Sequence, residues 1–556
     1  MKKQILTGEE SFKKIIEGNY FYIDKTLFIK ELLENRGKVT LITRPRRFGK
    51  TMNMSMLEYF FDIGLDSRAL FEGLNIMEHT DIVEKYMNRH PVVAITLKDV
   101  EESTYEKTIE SIRNFVSTLY QEKMYMYEND GLSEIKKKQF YRYCAKESDE
   151  VELKSALRFL TECLYTYHKK RVIVLLDEYD IPITNAFVKG YYKDMIDFMR
   201  VFLGSVFKTN KYLEFGVLTG VQRISKESLF SCFNNPKVCG IMHNLFTTCF
   251  GFTEEEVKNA CHKYGLDAQF EKVKRWYNGY MFGNQQDIYN PWSITGFLKE
   301  KKFKPYWVYT GSMNILSDIF FKGTSSLKND IAGLLTNTPV RMKYTEQIRF
   351  PISYRNDNIF WSMLLNAGYI KHCVGSKEED WFYAELVNRE VKNIFADFID
   401  LWFKDKENEM PKIIQQFVKC LLKGDKEGVS DTLNKELLNN PSCYDFKEEN
   451  SYHLFIFGIL LAVSSDFTVY SNLESGKGRS DCMIKPADKE QYAVVIEFKH
   501  KREDGKDLKE EAEKGLNQID EKAYVYNLKK EGYNKIYRYG IAFHKKICEV
   551  ALFVNE

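Results

Sequence analysis

A short apolar run, Val39–Ile42, leads directly into Thr43-Arg44-Pro45-Arg46-Arg47-Phe48-Gly49-Lys50-Thr51, and a helical pattern over Asn53–Phe61 follows. Strand, glycine turn and helix in that order narrow the fold sharply, because together they make a cradle for phosphate. Backbone N–H groups at the helix N-terminus face the anion, Lys50 reaches the β and γ oxygens, and the Thr51 hydroxyl helps to hold Mg²⁺. The general pattern G-x-x-x-x-G-K-[ST] expects glycine at position 44, where this chain carries Arg44. The loop residues Arg44, Pro45, Arg46, Arg47, Phe48 and Gly49 are therefore expected around a nucleotide together with Lys50 and Thr51. The arginine cluster suits a highly charged ligand such as ATP, although Arg46 could equally bind a neighbouring acid or a partner subunit.

A second signal lies far downstream. In Arg171-Val172-Ile173-Val174-Leu175-Leu176-Asp177-Glu178, five apolar residues end in two carboxylates, which reads as a buried central strand with acids at its tip. ATP hydrolysis in P-loop proteins needs that pair: one acid, Asp177, for Mg²⁺ and a second, Glu178, to polarise the attacking water. A core strand running into an acidic turn is the plainer reading, and the pairing with Lys50 is what favours chemistry. Strand-like segments at Val39–Thr43, Val92–Leu97, Val172–Asp177, Leu213–Thr219 and Leu245–Phe250 alternate with helical patterns. That alternation predicts an α/β fold, a P-loop NTPase parallel sheet covered on both faces. Thr219, at the tip of the fourth strand, is a candidate γ-phosphate sensor. Arg223 could neutralise charge during hydrolysis or could be an ordinary surface ion pair.

With 556 residues, the usual domain size allows about three to four domains. The net charge of +2 confines any nucleic-acid binding to local basic patches. Eleven cysteines without a C-x-x-C pair disfavour a zinc ribbon and suggest free thiols in a reducing compartment. The N-terminus lacks the apolar stretch of a signal peptide, and Leu454–Val463 is too short to cross a bilayer and reads as a buried helix. A cytoplasmic protein with no membrane partner is expected.

Arg44–Thr51, preceded by Tyr22-Ile23-Asp24-Lys25-Thr26, resembles the bacterial and archaeal AAA-ATPase-like family, in which R-P-R-R-F-G-K-[ST] replaces the glycine-first loop. Leu176–Asp180, Thr219-Gly220-Val221, Trp276–Tyr280 and Tyr289–Ser293 extend the resemblance over roughly residues 5–320. The resemblance implies ATP binding and makes Arg44 typical of the family. The expected layout is a P-loop ATPase core over 1–251 and a helical lid over 252–340. A winged-helix-like adaptor and connector over 341–414 follows, and then an α/β restriction-endonuclease-like domain over 415–556. The adaptor could bind DNA, but packing within the ATPase is the favoured reading.

The last segment carries its own chemistry. Asp481 follows Gly478-Arg479-Ser480, and Glu497 comes 16 residues later within Tyr492-Ala493-Val494-Val495-Ile496-Glu497-Phe498-Lys499. Side chains alternate along a strand, so Glu497 and Lys499 share one face, and a hairpin partner brings Asp481 beside them. Asp481 and Glu497 can then hold Mg²⁺ while Lys499 orients water and stabilises transition-state charge. E-x-K is common on any solvated strand; the apolar run before it and the distant aspartate give it weight. The segment resembles the PD-(D/E)XK nuclease-like domain, with Ser480 in place of the usual proline. The resemblance extends to Glu449, Tyr452, His453, Gln518 and Tyr524. It implies that Glu449 approaches the metal and that Gln518 and Lys522 contact phosphate or structure the site, or else lie on a solvated helix face. Lys535–His544 and Ile547–Val554 are expected to complete the sheet.

Two functional classes follow. One is an ATP-regulated, Mg²⁺-dependent nuclease acting on nucleic acid, DNA before RNA, in defence or mobile-element biology. The other is an ATP-dependent switch whose nuclease-like domain only binds. The intact acid–acid–lysine set favours the first, and either could form a homo-oligomer.

Overall fold

A computed structural model describes residues 2–128, 132–224, 236–307, 339–350, 357–373, 381–393, 410–439, 467–475, 478–486, 488–500, 507–545 and 547–555, with isolated positions between them. Two compact units emerge: Met1–Ile319 with Arg341–Glu390, and Phe320–Val340 with Val391–Glu556. Among the described residues no helix is long and apolar enough to cross a membrane.

The first unit is built on a parallel sheet of β1 (Val39–Thr43), β2 (Val92–Thr96), β3 (Val172–Asp177), β4 (Leu213–Gly220) and β5 (Lys237–Cys239). Their spatial order is β2-β3-β4-β1-β5. β1 and β3 are buried along their whole length, as runs covered by helices on both faces must be. Pairings of Ile42 with Thr219 and of Leu176 with Leu218 put the ends of β1, β3 and β4 at one level. The carboxyl edge of such a sheet is where ligands bind.

The fifth strand is not where the sequence suggested. Leu245–Phe250 forms no strand, and Lys237–Cys239 pairs with β1 instead. The backbone of 245–250 is committed to side chains. Leu245 and Phe246 carbonyls accept from Arg44, the Phe246 N–H donates to Glu31, and the Cys249 carbonyl accepts from Asn53. These bonds take up backbone groups that a strand ladder would need.

Residues 252–307 hold the helices Glu254–Tyr264, Phe270–Tyr277 and Pro291–Glu300. They also hold a three-stranded sheet of Phe252–Thr253, Tyr280–Phe282 and Gln285–Tyr289, where only helices and turns were expected. Asn290 caps the last helix by accepting from the N–H groups of Trp292 and Ser293, with Pro291 in the first turn. Further along, the helix Asp357–Ala367 accompanies the antiparallel pair Ile370–His372 and Trp381–Leu386. These belong to the first unit.

The second unit contains a mixed sheet of β6 (Phe467–Ser475), β7 (Gly478–Pro486), β8 (Ala493–His500), β9 (Ile536–His544) and β10 (Ile547–Asn555), in that order. β8 and β9 are parallel and the other pairs antiparallel. α-Helix Leu508–Glu521 packs closely on this sheet: a Cβ at Gly540 would collide with the Ala512 carbonyl. Of Leu454–Val463 only Ile456 and Leu460 are described, both helical and buried. Glu449, Tyr452 and His453 lie outside the described residues.

Candidate nucleotide and metal sites

At the end of β1 the chain turns through Gly49, whose φ of 82° is left-handed and open to glycine at little cost, and helix Lys50–Phe61 begins. The free N–H groups of that first turn face a cavity of about 370 Å³ lined by Gly49, Lys50, Thr51, Arg46, Arg47 and Glu178, among others. Lys50 is buried; its ammonium lies 3.2 Å from Glu178 Oε1 and donates to the carbonyls of Arg44 and Pro45. Thr51 Oγ1 donates to Asp177 Oδ2 at 2.6 Å, and the Thr219 hydroxyl donates to the other Asp177 oxygen. Burial, with the neighbouring Glu178 charge, raises the Asp177 carboxyl above its ordinary range. Glu178 itself stands at φ 53°, a strained position for a side-chain-bearing residue, and its buried Oε2 accepts no hydrogen bond.

In the second unit, pairing of Cys482 with Ile496 sets Asp481 opposite Glu497. Asp481 Oδ2 accepts from the Phe498 N–H at 2.8 Å, which fixes its rotamer across the hairpin. Glu497 Oε1 accepts from Lys499 Nζ at 3.2 Å and from Gln518 Nε2, while its buried Oε2 accepts nothing. Gln518 Nε2 also reaches the Tyr524 hydroxyl at 3.3 Å. Burial, then the Asp481 charge, pushes the Glu497 carboxyl up, and burial does the same to Asp481.

Comparison with known proteins supports both kinds of domain. Residues 7–230 match the family model described as predicted AAA-ATPase, and residues 447–552 match the PD-(D/E)XK nuclease superfamily. The chain carries an AAA-ATPase-like domain and a PD-(D/E)XK nuclease-like domain. It is also similar to the "Uncharacterized protein in vnfD 5'region" of Azotobacter chroococcum mcd 1, with 27% identity over 367 residues. That match covers 64% of this chain and 64% of the relative's own length.

In the AAA-ATPase-like domain the residues present fit a nucleotide with a divalent cation. Thr51 and Asp177 offer converging oxygens, Glu178 an unsatisfied one, and the helix N-terminus a set of N–H donors. Arg44 departs from the expectation of nucleotide contact. It is fully buried, donates to the carbonyls of Thr43, Cys239, Leu245 and Phe246, and lies 4.8 Å over the Phe282 ring. The glycine of the usual loop is replaced here by a clamp behind the loop. Phe48 is likewise packed, edge-on to Tyr280 and Phe282, although it lines part of the cavity wall. Pro45 lends its carbonyl to Lys50, and Thr219 holds Asp177. Arg223 is ion-paired with Glu346, whose other oxygen lies 3.7 Å from His243. Trp307 donates its indole N–H to the Arg46 carbonyl, a support for the loop that no local pattern signalled.

The PD-(D/E)XK nuclease-like domain also fits a hydrated cation, since Glu497 Oε2 is buried and unsatisfied beside Asp481. Among the described residues no group of three or more His, Cys, Asp or Glu side chains converges to hold a metal ion. Lys522 is exposed at the helix end and joins no part of this cluster.

Proposed function

We propose that the N-terminal unit binds and hydrolyses ATP with Mg²⁺, and that the C-terminal domain is a Mg²⁺-dependent nuclease acting on DNA more readily than RNA. The supporting observation is the Thr51–Asp177 contact beside Lys50–Glu178, which joins two motifs 126 residues apart in one cavity wall. Lys50 would exchange its carbonyl partners for β and γ oxygens, and Glu178, released from Lys50, would orient the attacking water. In the C-terminal domain Gln518 and Lys499 hold Glu497, and the Phe498 N–H holds Asp481, so both carboxylates are set before a cation arrives. Bound Mg²⁺ would polarise the phosphodiester and lower the pKa of its water. Lys499 would then place that water and balance the charge that develops.

The proposed division is an ATPase core over 1–251, a lid over 252–340, an adaptor over 341–414 and the nuclease over 415–556. The setting is the cytoplasm, in defence or mobile-element biology, with self-association open to test. The test is cleavage of linear and circular DNA by the full chain with Mg²⁺ or Mn²⁺, with and without ATP. Glu497→Ala and Lys50→Ala run alongside. Cutting that vanishes in Glu497→Ala and changes with ATP or in Lys50→Ala supports the reading. A wild type that hydrolyses ATP but cuts neither DNA nor RNA replaces it with an ATP-dependent switch.

A further inference from the structure

Beyond the phosphate loop, two further cations stand on the wall of the same cavity: Lys25, held at 2.7 Å by Glu256 and bonded to the Thr248 carbonyl, and Lys98. Lys98 follows β2, and β2 lies beside β3, with Thr96 in register with Asp177 and the Leu97 N–H donating to the Asp177 carbonyl at 3.0 Å. The chain turns there, the Lys98 N–H meeting the Thr96 hydroxyl at 3.3 Å, and the Lys98 side chain enters the cavity lining with Lys50 and Glu178. No motif in the sequence marked it.

What Lys98 meets is a carboxylate. Its ammonium lies 2.8 Å from both oxygens of Glu10, and the same carboxylate lies 3.7 Å from the Arg47 guanidinium of the phosphate loop. Two cations from separate elements thus share one acid at the cavity wall. Arg47 is further fixed by stacking 4.2 Å over the Trp292 ring. The position of Glu10 is not free either. Two residues on, Phe12 is fully buried, donates its N–H to Ser55 of the helix Lys50–Phe61 and packs on Phe71 and Tyr22. Glu9 accepts from the N–H groups of Glu10 and Ser11, which shapes the turn. The acid that occupies Lys98 and Arg47 is therefore tethered to the phosphate-binding helix itself.

We infer that Lys98 is a further nucleotide-contacting residue, whose ammonium takes the terminal phosphate of ATP, and that Glu10 is the anion that phosphate displaces. The inference rests on the ATP reading above. A surface ion pair would need only two solvated side chains. Here both side chains are partly exposed, but the lysine stands two residues beyond Thr96, the register partner of the magnesium-binding position, and its counter-ion is shared with the loop. Charge-assisted contacts to phosphate are strong, and a contact to the terminal phosphate distinguishes ATP from ADP.

The experiment titrates the full chain, with Mg²⁺, against fluorescent N-methylanthraniloyl ATP and ADP. Wild type, Lys98→Ala, Lys98→Arg and Glu10→Gln are compared, each with its melting curve. Lys98→Ala should weaken ATP binding about ten-fold and ADP binding by less than about two-fold, with Lys98→Arg recovering most of the loss. Glu10→Gln should tighten ATP binding a few-fold. Equal effects on ATP and ADP, or none on either, overturn the role of Lys98 while leaving the ATP site intact. A wild type that binds neither nucleotide overturns the ATP reading and this inference with it.

Discussion

Thr51 Oγ1 lies 2.6 Å from Asp177 Oδ2, although 126 residues separate them in the chain. The sheet order explains the meeting: β1 and β3 flank β4, all three run parallel, and their carboxyl ends coincide. A hydroxyl and a carboxylate already in contact need little rearrangement to share a cation, which keeps the reorganisation cost of the site low.

Glu178 tests the hydrolytic half of that site. Its carboxylate neutralises buried Lys50 at 3.2 Å and is proposed to orient water. Glu178→Gln keeps the shape and removes the charge, so Lys50 becomes more available to phosphate. ATP should bind as tightly as in wild type or better, while turnover falls by about 100-fold or more. Equilibrium binding and single-turnover hydrolysis on the same preparation check both expectations.

Arg44 is predicted to matter for stability rather than for binding. Its guanidinium satisfies four backbone carbonyls in a fully buried place. Arg44→Ala should cost about 3–5 kcal/mol, because acceptors and a cavity are left behind. Arg44→Lys should rescue little, since one ammonium cannot span carbonyls on three segments. Urea melts measure the loss, and nucleotide affinity of the folded protein should stay within about three-fold of wild type.

Much of this was legible in the chain because it depended on local pattern. Val172–Leu176 could only be a buried strand, Gly49-Lys50-Thr51 could only follow one, and Glu497 and Lys499 share a face by the period of a strand. Residues that answer to distant partners were not legible. Leu245–Phe250 has the composition of a strand, and it takes another shape because Arg44, Glu31 and Asn53 claim its backbone groups. Arg44 looked like a phosphate ligand because its charge is visible in sequence and its four carbonyl partners are not. Lys98 sits in an unremarkable turn, and only the neighbouring strand reveals what stands beside it.

Glu390 predicts a pH dependence of the first unit. It is fully buried, accepts from Ser293 Oγ and from the N–H groups of Tyr306 and Trp307, and is pushed up to about 7 by burial. The folded state therefore keeps a proton that the unfolded chain releases near pH 4.5. Stability from this group is fully present below about pH 4.5 and is lost as pH rises to about 7, by about 3 kcal/mol at most. Because Trp307 also supports the Arg46 carbonyl, loosening here should reach the phosphate loop. Wild-type melting temperature should fall relative to Glu390→Gln across that interval; parallel curves for the two proteins would refute the assignment.

Gln518 is expected to act through Glu497. Its amide donates to Glu497 Oε1 and so leaves Oε2 as the oxygen with nothing to accept, the one available to a cation. Gln518→Ala should leave that carboxylate held by Lys499 alone, free to turn its oxygens away from the cation, and weaken Mn²⁺ binding or cleavage by about 10–100-fold. Because Glu497 and Lys499 remain in place, raising the Mn²⁺ concentration should restore much of the lost activity, whereas Glu497→Gln should stay inactive at any concentration. Lys522→Ala, on the exposed end of the same helix, should change neither property. Isothermal titration with Mn²⁺ gives the affinity without relying on cleavage. An unchanged affinity in Gln518→Ala would mean that the amide merely packs against the carboxylate and does not position it.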